Sequence, residues 1–172
     1  MPIEKTTYEL AVELGQVALS KGLTVATAES CTAGGVGFAI TAVPGSSAWF
    51  ERGFITYTNT AKHEMIGVRG ETLEAFGAVS CETAREMAAG AVRHSAAGAA
   101  VSITGIAGPG GEVPGKPVGT VCFAAAVRCP SAPEGLWVRS ECMHFDGNRD
   151  AVRAQSIDFA MYLLTQSILQ AT

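Results

Sequence analysis

Ser30 stands where an apolar, β-branched stretch (Thr24, Val25, Ala26, Thr27) runs through Glu29-Ser30-Cys31-Thr32 into a small-residue segment that reads as a helix start. A hydroxyl or thiol at such a strand-to-helix turn lies beside unpaired backbone N–H groups and the positive end of the helix dipole. The position suits a nucleophile that attacks a carbonyl, and it equally suits an ordinary helix N-cap. A serine hydroxyl needs a base within hydrogen-bond reach. Lys62 can be that base if burial desolvates its ammonium and lowers its pKa toward neutrality, with Tyr57 relaying a proton or holding the lysine. Cys31 is the rival nucleophile, because helix N-termini lower thiol pKa values. Backbone N–H groups near Cys31 and Thr32 would form the oxyanion hole. On spacing alone a plainer reading stands beside this one: Ser30 as a cap, Lys62 as a solvated surface lysine, Tyr57 and Cys31 as core.

The loop Gly105–Gly111 is rich in glycine but lacks a Walker lysine and does not match GxGxxG, so by itself it is weak evidence for phosphate binding. Loops at the carboxyl ends of strands in an open α/β sheet are nonetheless where ligands bind. Arg149, near the start of the last helix, can pair with an anion there, or be a surface arginine paired with Asp146 or Asp150. No metal site is expected. His63-Glu64 begins like a zinc-protease motif, but Gly67 stands where its second histidine is required, and no Cys/His cluster appears elsewhere.

The elements that must position these residues follow from periodicity. Leu10, Leu14, Val17 and Ala18 mark one face of a helix from Thr6 to Lys21, closed by Gly22. Leu23–Ala28 reads as the first strand and Cys31–Val43 as a helix stopped by Pro44-Gly45. Ser46–Phe50 is one helical turn, and Gly53–Tyr57 a short strand. Thr58 or Asn59 caps a helix that carries Lys62 on its first turns and ends near Ile66. Glu71–Phe76 and Cys81–Ser95, the latter capped by Ser80, are helical. Ala99–Thr104 is a buried strand, and Val118–Val127 with Leu136–Phe145 form an antiparallel pair. A helix from about Asn148 to Gln170 ends the chain. Five strands with helices between them indicate an α/β fold, a sheet covered on both faces.

Composition agrees with that class and bounds the function. With 172 residues, 48% hydrophobic and 16% charged, and with 20 glycines, the chain has the size and balance of one compact domain over 1–172. The formal charge of −4 leaves no basic stripe for nucleic acid. Five cysteines without a CxxC pair read as free thiols of a reducing compartment. No secretory signal and no apolar run of the ~18 residues needed to span a membrane is present, so a soluble, cytoplasmic protein is expected.

Several blocks in order resemble one family. Ala28-Glu29-Ser30-Cys31-Thr32, Pro44-Gly45-Ser46-Ser47-Ala48, Tyr57-x-Asn59-x-x-Lys62, Gly77-Ala78-Val79-Ser80, Ser102-x-Thr104-Gly105-Ile106-Ala107-Gly108-Pro109, Lys116-Pro117-Val118-Gly119-Thr120 and Asp146-Gly147-Asn148-Arg149-Asp150 are similar to the CinA (competence-damage-inducible protein A) C-terminal family, above all to its stand-alone amidohydrolases. The resemblance implies a three-layer α/β/α sandwich with a mixed sheet of about five strands. It implies hydrolysis of the carboxamide of nicotinamide mononucleotide to nicotinate mononucleotide and ammonia, without metal or cofactor. By the same resemblance Ser30 is the nucleophile, Lys62 its base and Tyr57 an assistant. Cys31, Thr32, Ser47, Asn59, Thr104, Gly105, Gly108 and Arg149 then bind substrate, with Arg149 the candidate for its phosphate. A homodimer is expected from the family alone. Ala33 replaces a glycine common in the family, and Asn148 an acidic residue. The alternatives are a non-catalytic nucleotide-binding or regulatory module linked to competence or DNA damage, or an amidase for another pyridine or nucleotide amide.

Overall fold

The computed structural model describes residues 5–172. Its helices and strands, in chain order, are α1 (Thr7–Ser20), β1 (Val25–Glu29), α2 (Gly35–Thr41), β2 (Phe50–Ile55), α3 (Asn59–Ile66), α4 (Gly70–Phe76), α5 (Cys81–Arg93), β3 (Ala99–Gly105), β4 (Thr120–Arg128), β5 (Leu136–His144) and α6 (Arg149–Ala171). Short 3-10 turns at Ser46–Ala48 and Pro133–Gly135 precede β2 and β5. The strands form a sheet ordered β2-β1-β3-β4-β5, with β1 parallel to β2 and β3, and β4 antiparallel to both its neighbours. The expected mixed five-stranded α/β sheet is therefore present.

Strand alternation sorts the core into two layers. Val101 and Ile103 of β3 with Val121, Phe123 and Val127 of β4 face α1, α2 and α6. Ala100 of β3 and Cys122, Ala124 and Ala126 of β4 face the other way, toward Ala84, Ala88 and Ala91 of α5. The second face is built of small side chains, which lets α5 lie close on the sheet. Trp49 fills the first layer beneath α1, so close that a Cβ on Gly15 would sit 2.7 Å from its ring.

Local chemistry sets the helix ends. Thr6 and Glu9 form a reciprocal capping box on α1, and the side chains of Thr58, Ser80 and Asn148 accept from Ala61 N, Thr83 N and Ala151 N to cap α3, α5 and α6. Asn148 is thus a helix cap.

Most boundaries fall within two residues of the sequence expectation, and two differ by more. Helix α2 begins at Gly35, not Cys31, because Ala33 (φ +49°) and Gly34 (φ +93°) adopt left-handed conformations that a helix cannot include. Strand β2 is Phe50–Ile55, three residues before the expected Gly53 start, because pairing with β1 (Val25↔Phe50, Glu29↔Ile55) recruits the polar Glu51 and Arg52 that no local pattern marks as strand.

The helix that carries Lys62 is wedged in place by α5. A Cβ on Gly90 would lie 2.0 Å from the Ile66 carbonyl oxygen, a backbone atom at the last turn of α3. Gly90→Ala is therefore expected to destabilise by about 1–3 kcal/mol through overpacking, seen as a Tm lowered by several degrees. A Tm equal to that of the parent chain would show that α3 and α5 separate without strain.

Candidate active site

The parallel strands β1, β2 and β3 end together at Glu29, Ile55 and Gly105, and the chain departs from these ends on opposite faces of the sheet. The carboxyl edge of the strands of an open α/β sheet is an expected ligand position. Ser30 follows β1 directly. Its backbone N–H donates to Ile103 O at 3.0 Å and its carbonyl accepts from Ala33 N at 3.0 Å, so the residue is clamped between β3 and its own turn. It does not cap α2. Gly34 is the N-cap residue and provides no side chain for the purpose.

A carboxylate performs the capping instead. Glu29, 1% exposed, accepts through Oε2 from Thr32 Oγ1 (2.7 Å), Gly34 N (3.0 Å) and Val36 N (3.0 Å). Through Oε1 it accepts from Thr27 Oγ1 (3.0 Å) and Gly37 N (3.0 Å). The first amides of a helix and its dipole stabilise an anion at this end. The sequence reading named no role for Glu29. The available signal was a single charged residue at the end of an otherwise uncharged buried strand, with a threonine two residues before it and another three residues after.

Lys62 reaches the same turn from α3. It is 1% exposed, and its Nζ donates to Ser30 Oγ at 3.1 Å, to Thr56 O at 2.9 Å and more weakly to Tyr57 O at 3.4 Å. Burial disfavours its charged form and brings its pKa down from the ordinary 10.5 to about 8, with the Cys31 thiol opposing that shift. Thr56, also buried, leaves its hydroxyl oxygen without a hydrogen-bond partner beside this cluster. Burial pushes the Cys31 thiol up to about 11, although Arg153, Lys62 and Arg149 all pull the other way.

Tyr57 meets the lysine through its backbone. Its side chain is exposed, and its hydroxyl accepts from Arg149 Nη2 at 3.4 Å. Arg149 also donates from Nη1 to Gly108 O at 2.8 Å, tying the start of α6 to the glycine-rich loop rather than to Asp146 or Asp150. One helical turn on, Arg153 donates to Thr32 O at 3.4 Å and keeps a buried Nε with no partner. Its i+4 spacing from Arg149 was the sequence signal for a second cation on this face. Thr104, at the end of β3, donates its hydroxyl to Ala78 O at 2.8 Å. Gly108 takes a φ of +78° with Val118 so near that a Cβ would lie 2.5 Å from it.

The fold thus brings Ser30, Cys31, Thr32, Lys62, Tyr57, Gly108 and Arg149 to one place, with Thr104 and Gly105 at the adjoining strand end. It does not bring Ser47 there. That residue lies in the turn before β2, exposed, at the opposite edge of the sheet, because β1 and β2 are parallel and begin at Val25 and Phe50. Asn59 is exposed at the first position of α3. Among the described residues no group of three or more His, Cys, Asp and Glu is arranged to hold a metal ion, and no helix is long and apolar enough to cross a membrane.

Comparison with known proteins agrees with this architecture. Residues 7–168 match the CinA C-terminal domain. The chain is 53% identical over 164 residues, 95% of its length and 96% of the relative's, to the nicotinamide-nucleotide amidohydrolase PncC of Escherichia coli (strain K12). It is 48% identical over 158 residues, 92% of its length and 93% of the relative's, to the protein of the same name from Enterobacter agglomerans. Among solved structures, the competence/damage inducible protein CihA from Agrobacterium tumefaciens superposes with a TM-score of 0.87 at 43% identity, covering 97% of this chain and 99% of that one. The competence damage-inducible protein A from Klebsiella pneumoniae gives a TM-score of 0.90 at 32% identity, covering 98% of this chain and 100% of the other. The sequence match over nearly the whole chain and the shared architecture together make this chain a member of the CinA C-terminal domain family.

Proposed function

We propose that the chain is an amidohydrolase that converts nicotinamide mononucleotide to nicotinate mononucleotide and ammonia through a Ser30 acyl-enzyme. The observation that carries this reading is the 3.1 Å contact between Ser30 Oγ and the Nζ of a lysine excluded from water. The names of the PncC relatives, which match along almost their full length, support the substrate class.

The lysine's surroundings suit a base. A neutral amine has two N–H groups and one lone pair. The carbonyls of Thr56 and Tyr57 can take the two N–H groups, which leaves the lone pair for the Ser30 hydroxyl proton. As Lys62 accepts that proton, Ser30 Oγ bonds to the carboxamide carbon and the carbonyl π electrons move to oxygen. The backbone N–H groups of Cys31 and Thr32 are the donors for this oxyanion. Collapse breaks the C–N bond, the protonated Lys62 supplies a proton to the departing nitrogen, and ammonia leaves. Water then attacks the ester carbon while Lys62 takes its proton, and Ser30 recovers the proton as the acid is released.

Tyr57 assists through its carbonyl at Lys62 and its phenol at Arg149. Thr104, Gly105 and Gly108 shape the wall, with Asn59 at its rim. Arg149, with Arg153 behind it, faces the phosphate. A cytoplasmic location and a homodimeric state belong to the same proposal. Cys31, with a thiol held protonated by burial, is a poor competitor for the role of nucleophile.

The deciding measurement is ammonia release from nicotinamide mononucleotide, with free nicotinamide and the dinucleotide alongside. Ser30→Ala should lower kcat by about 10³-fold or more while nucleotide binding persists, and Cys31→Ala should retain most activity. The reverse pattern would transfer the nucleophile to Cys31.

Because the reactive form of Lys62 is neutral, kcat/KM should rise with pH and level off above a midpoint near 8, falling about tenfold per unit below it. Its folded pKa lies below its unfolded value, so the lysine is protonated in both states below about 8 and its burial penalty is fully present at neutral pH. The penalty fades as pH rises from about 8 to 10.5. Lys62→Met should therefore abolish turnover yet gain up to about 3 kcal/mol at pH 7, less about 1 kcal/mol for carbonyls left without a donor. Denaturation at pH 7 and pH 10 would show whether the gain shrinks as this linkage requires.

Arg149→Ala should raise KM for the nucleotide by roughly tenfold or more with a smaller change in kcat, as expected for loss of an ion pair to phosphate. An unchanged KM would remove Arg149 from the phosphate site.

A further inference from the structure

Glu29 is a buried carboxylate with no cation paired to it among the described residues. All its acceptor capacity goes to the segment on either side of Ser30: the hydroxyls of Thr27 and Thr32 and the backbone N–H groups of Gly34, Val36 and Gly37. A surface carboxylate would suffice to offset a helix dipole. One enclosed by five donors also dictates the path of the chain between them.

That path is specific. The main chain of Glu29 is itself pinned, since its carbonyl accepts from Thr56 N at 2.8 Å, just beyond the end of β2. With the backbone fixed on the sheet and the carboxylate fixed on α2, the intervening turn of residues 30–34 has both ends tied, and its left-handed residues Ala33 and Gly34 bend it back on itself. The N–H accounting is equally specific. Ser30 N, Ala33 N and Gly35 N bond to Ile103 O, Ser30 O and Thr32 O, and Glu29 takes Gly34, Val36 and Gly37. Among the described residues the N–H groups of Cys31 and Thr32 alone in this turn are left without an acceptor on another residue's backbone or side chain.

We infer that Glu29 is a positioning residue for the reaction: its carboxylate locks the 30–34 turn so that Ser30 Oγ meets Lys62 Nζ and only the Cys31 and Thr32 amides stay open to the developing oxyanion. The inference rests on the reading of Ser30 as nucleophile. It gives Glu29 no proton to carry. Cys31 is the charged or titratable neighbour that acts on Lys62, with Arg153 and Arg149 beyond it around Cys31. Glutamine has the length of glutamate but presents an NH2 group where one oxygen stood, and a backbone N–H cannot reverse to meet it. Aspartate is one methylene too short to reach Gly37.

Glu29→Gln and Thr27→Val, which removes one donor from the far side of the carboxylate, are to be compared with the parent chain by steady-state kinetics on nicotinamide mononucleotide from pH 6 to 10. A misaimed nucleophile predicts a kcat lowered roughly 10- to 100-fold for Glu29→Gln and a few-fold for Thr27→Val. KM should stay within about twofold because substrate contacts are untouched, and the acid-limb midpoint should stay unmoved because burial and Cys31, not Glu29, set the shift of Lys62. Circular dichroism reports whether Glu29→Gln is folded; if it is not, Thr27→Val decides, and an unchanged kcat there overturns the inference. A folded Glu29→Gln with parental kcat, a loss confined to KM, or a midpoint moved by a full pH unit would each overturn it as well. Ser30→Ala measured alongside separates the two levels. If it turns over normally, the nucleophile assignment and this inference fall together; if it is inactive while Glu29→Gln is fully active, only the inference falls.

Discussion

Lys62 is 1% exposed, and an ammonium there would lose its hydration with only neutral oxygens to replace it: the carbonyls of Thr56 and Tyr57 and the hydroxyl of Ser30. Three oxygens can satisfy three N–H donors, but no carboxylate stands among them to compensate the charge. The amine therefore gives up its proton near pH 8 rather than near its ordinary 10.5, which brings the neutral form within reach of physiological pH. Place a carboxylate in contact with it, and the lysine becomes a charged member of an ion pair. Expose it, and it returns to an ordinary pKa. The rest of the local structure serves to keep both from happening.

The sheet supplies the means. Its α5 face is lined with alanine and other small residues, so α5 packs close, and Gly90 lets α3 come against it backbone to side. Lys62 is as buried as a core residue, its long apolar stem shielded from water along with the amine. The layer on the other face holds larger side chains, Phe123 of β4 with Phe159 of α6 and Trp49 of the turn before β2, and gives α1, α2 and α6 their footing. Because β1, β2 and β3 run the same way, the turn after β1, the segment after β2 that precedes α3, and the loop after β3 all emerge at one edge. The first two turns of α6 bring Arg149 and Arg153 over the same edge.

Some of this was legible in the chain. The helix caps Thr58 and Ser80, the closing Gly22, the buried strand at 99–104 and the antiparallel pair after it follow from short-range rules and stand where those rules put them. The lysine and serine were named as partners, although local spacing alone favoured a cap and a surface side chain. The start of α2 was misplaced because the cap is Glu29, five to eight residues from the amides it satisfies, a reach outside any capping box. The start of β2 was misplaced because Glu51 and Arg52 are strand residues only by virtue of pairing with β1.

By itself the sequence determined the class of fold and the set of residues from which a site could be made. Periodicity of apolar side chains and turn chemistry act over a few residues, and both are written locally. Which of those residues meet was decided by the tertiary structure. Ser30 and Lys62 are 32 positions apart and touch at 3.1 Å, whereas Ser47, nearer to Ser30 in the chain, lies at the far edge of the sheet. Protonation was decided there too. A lysine's charge depends on the water and the carboxylates around it, and the fold removes the first and withholds the second.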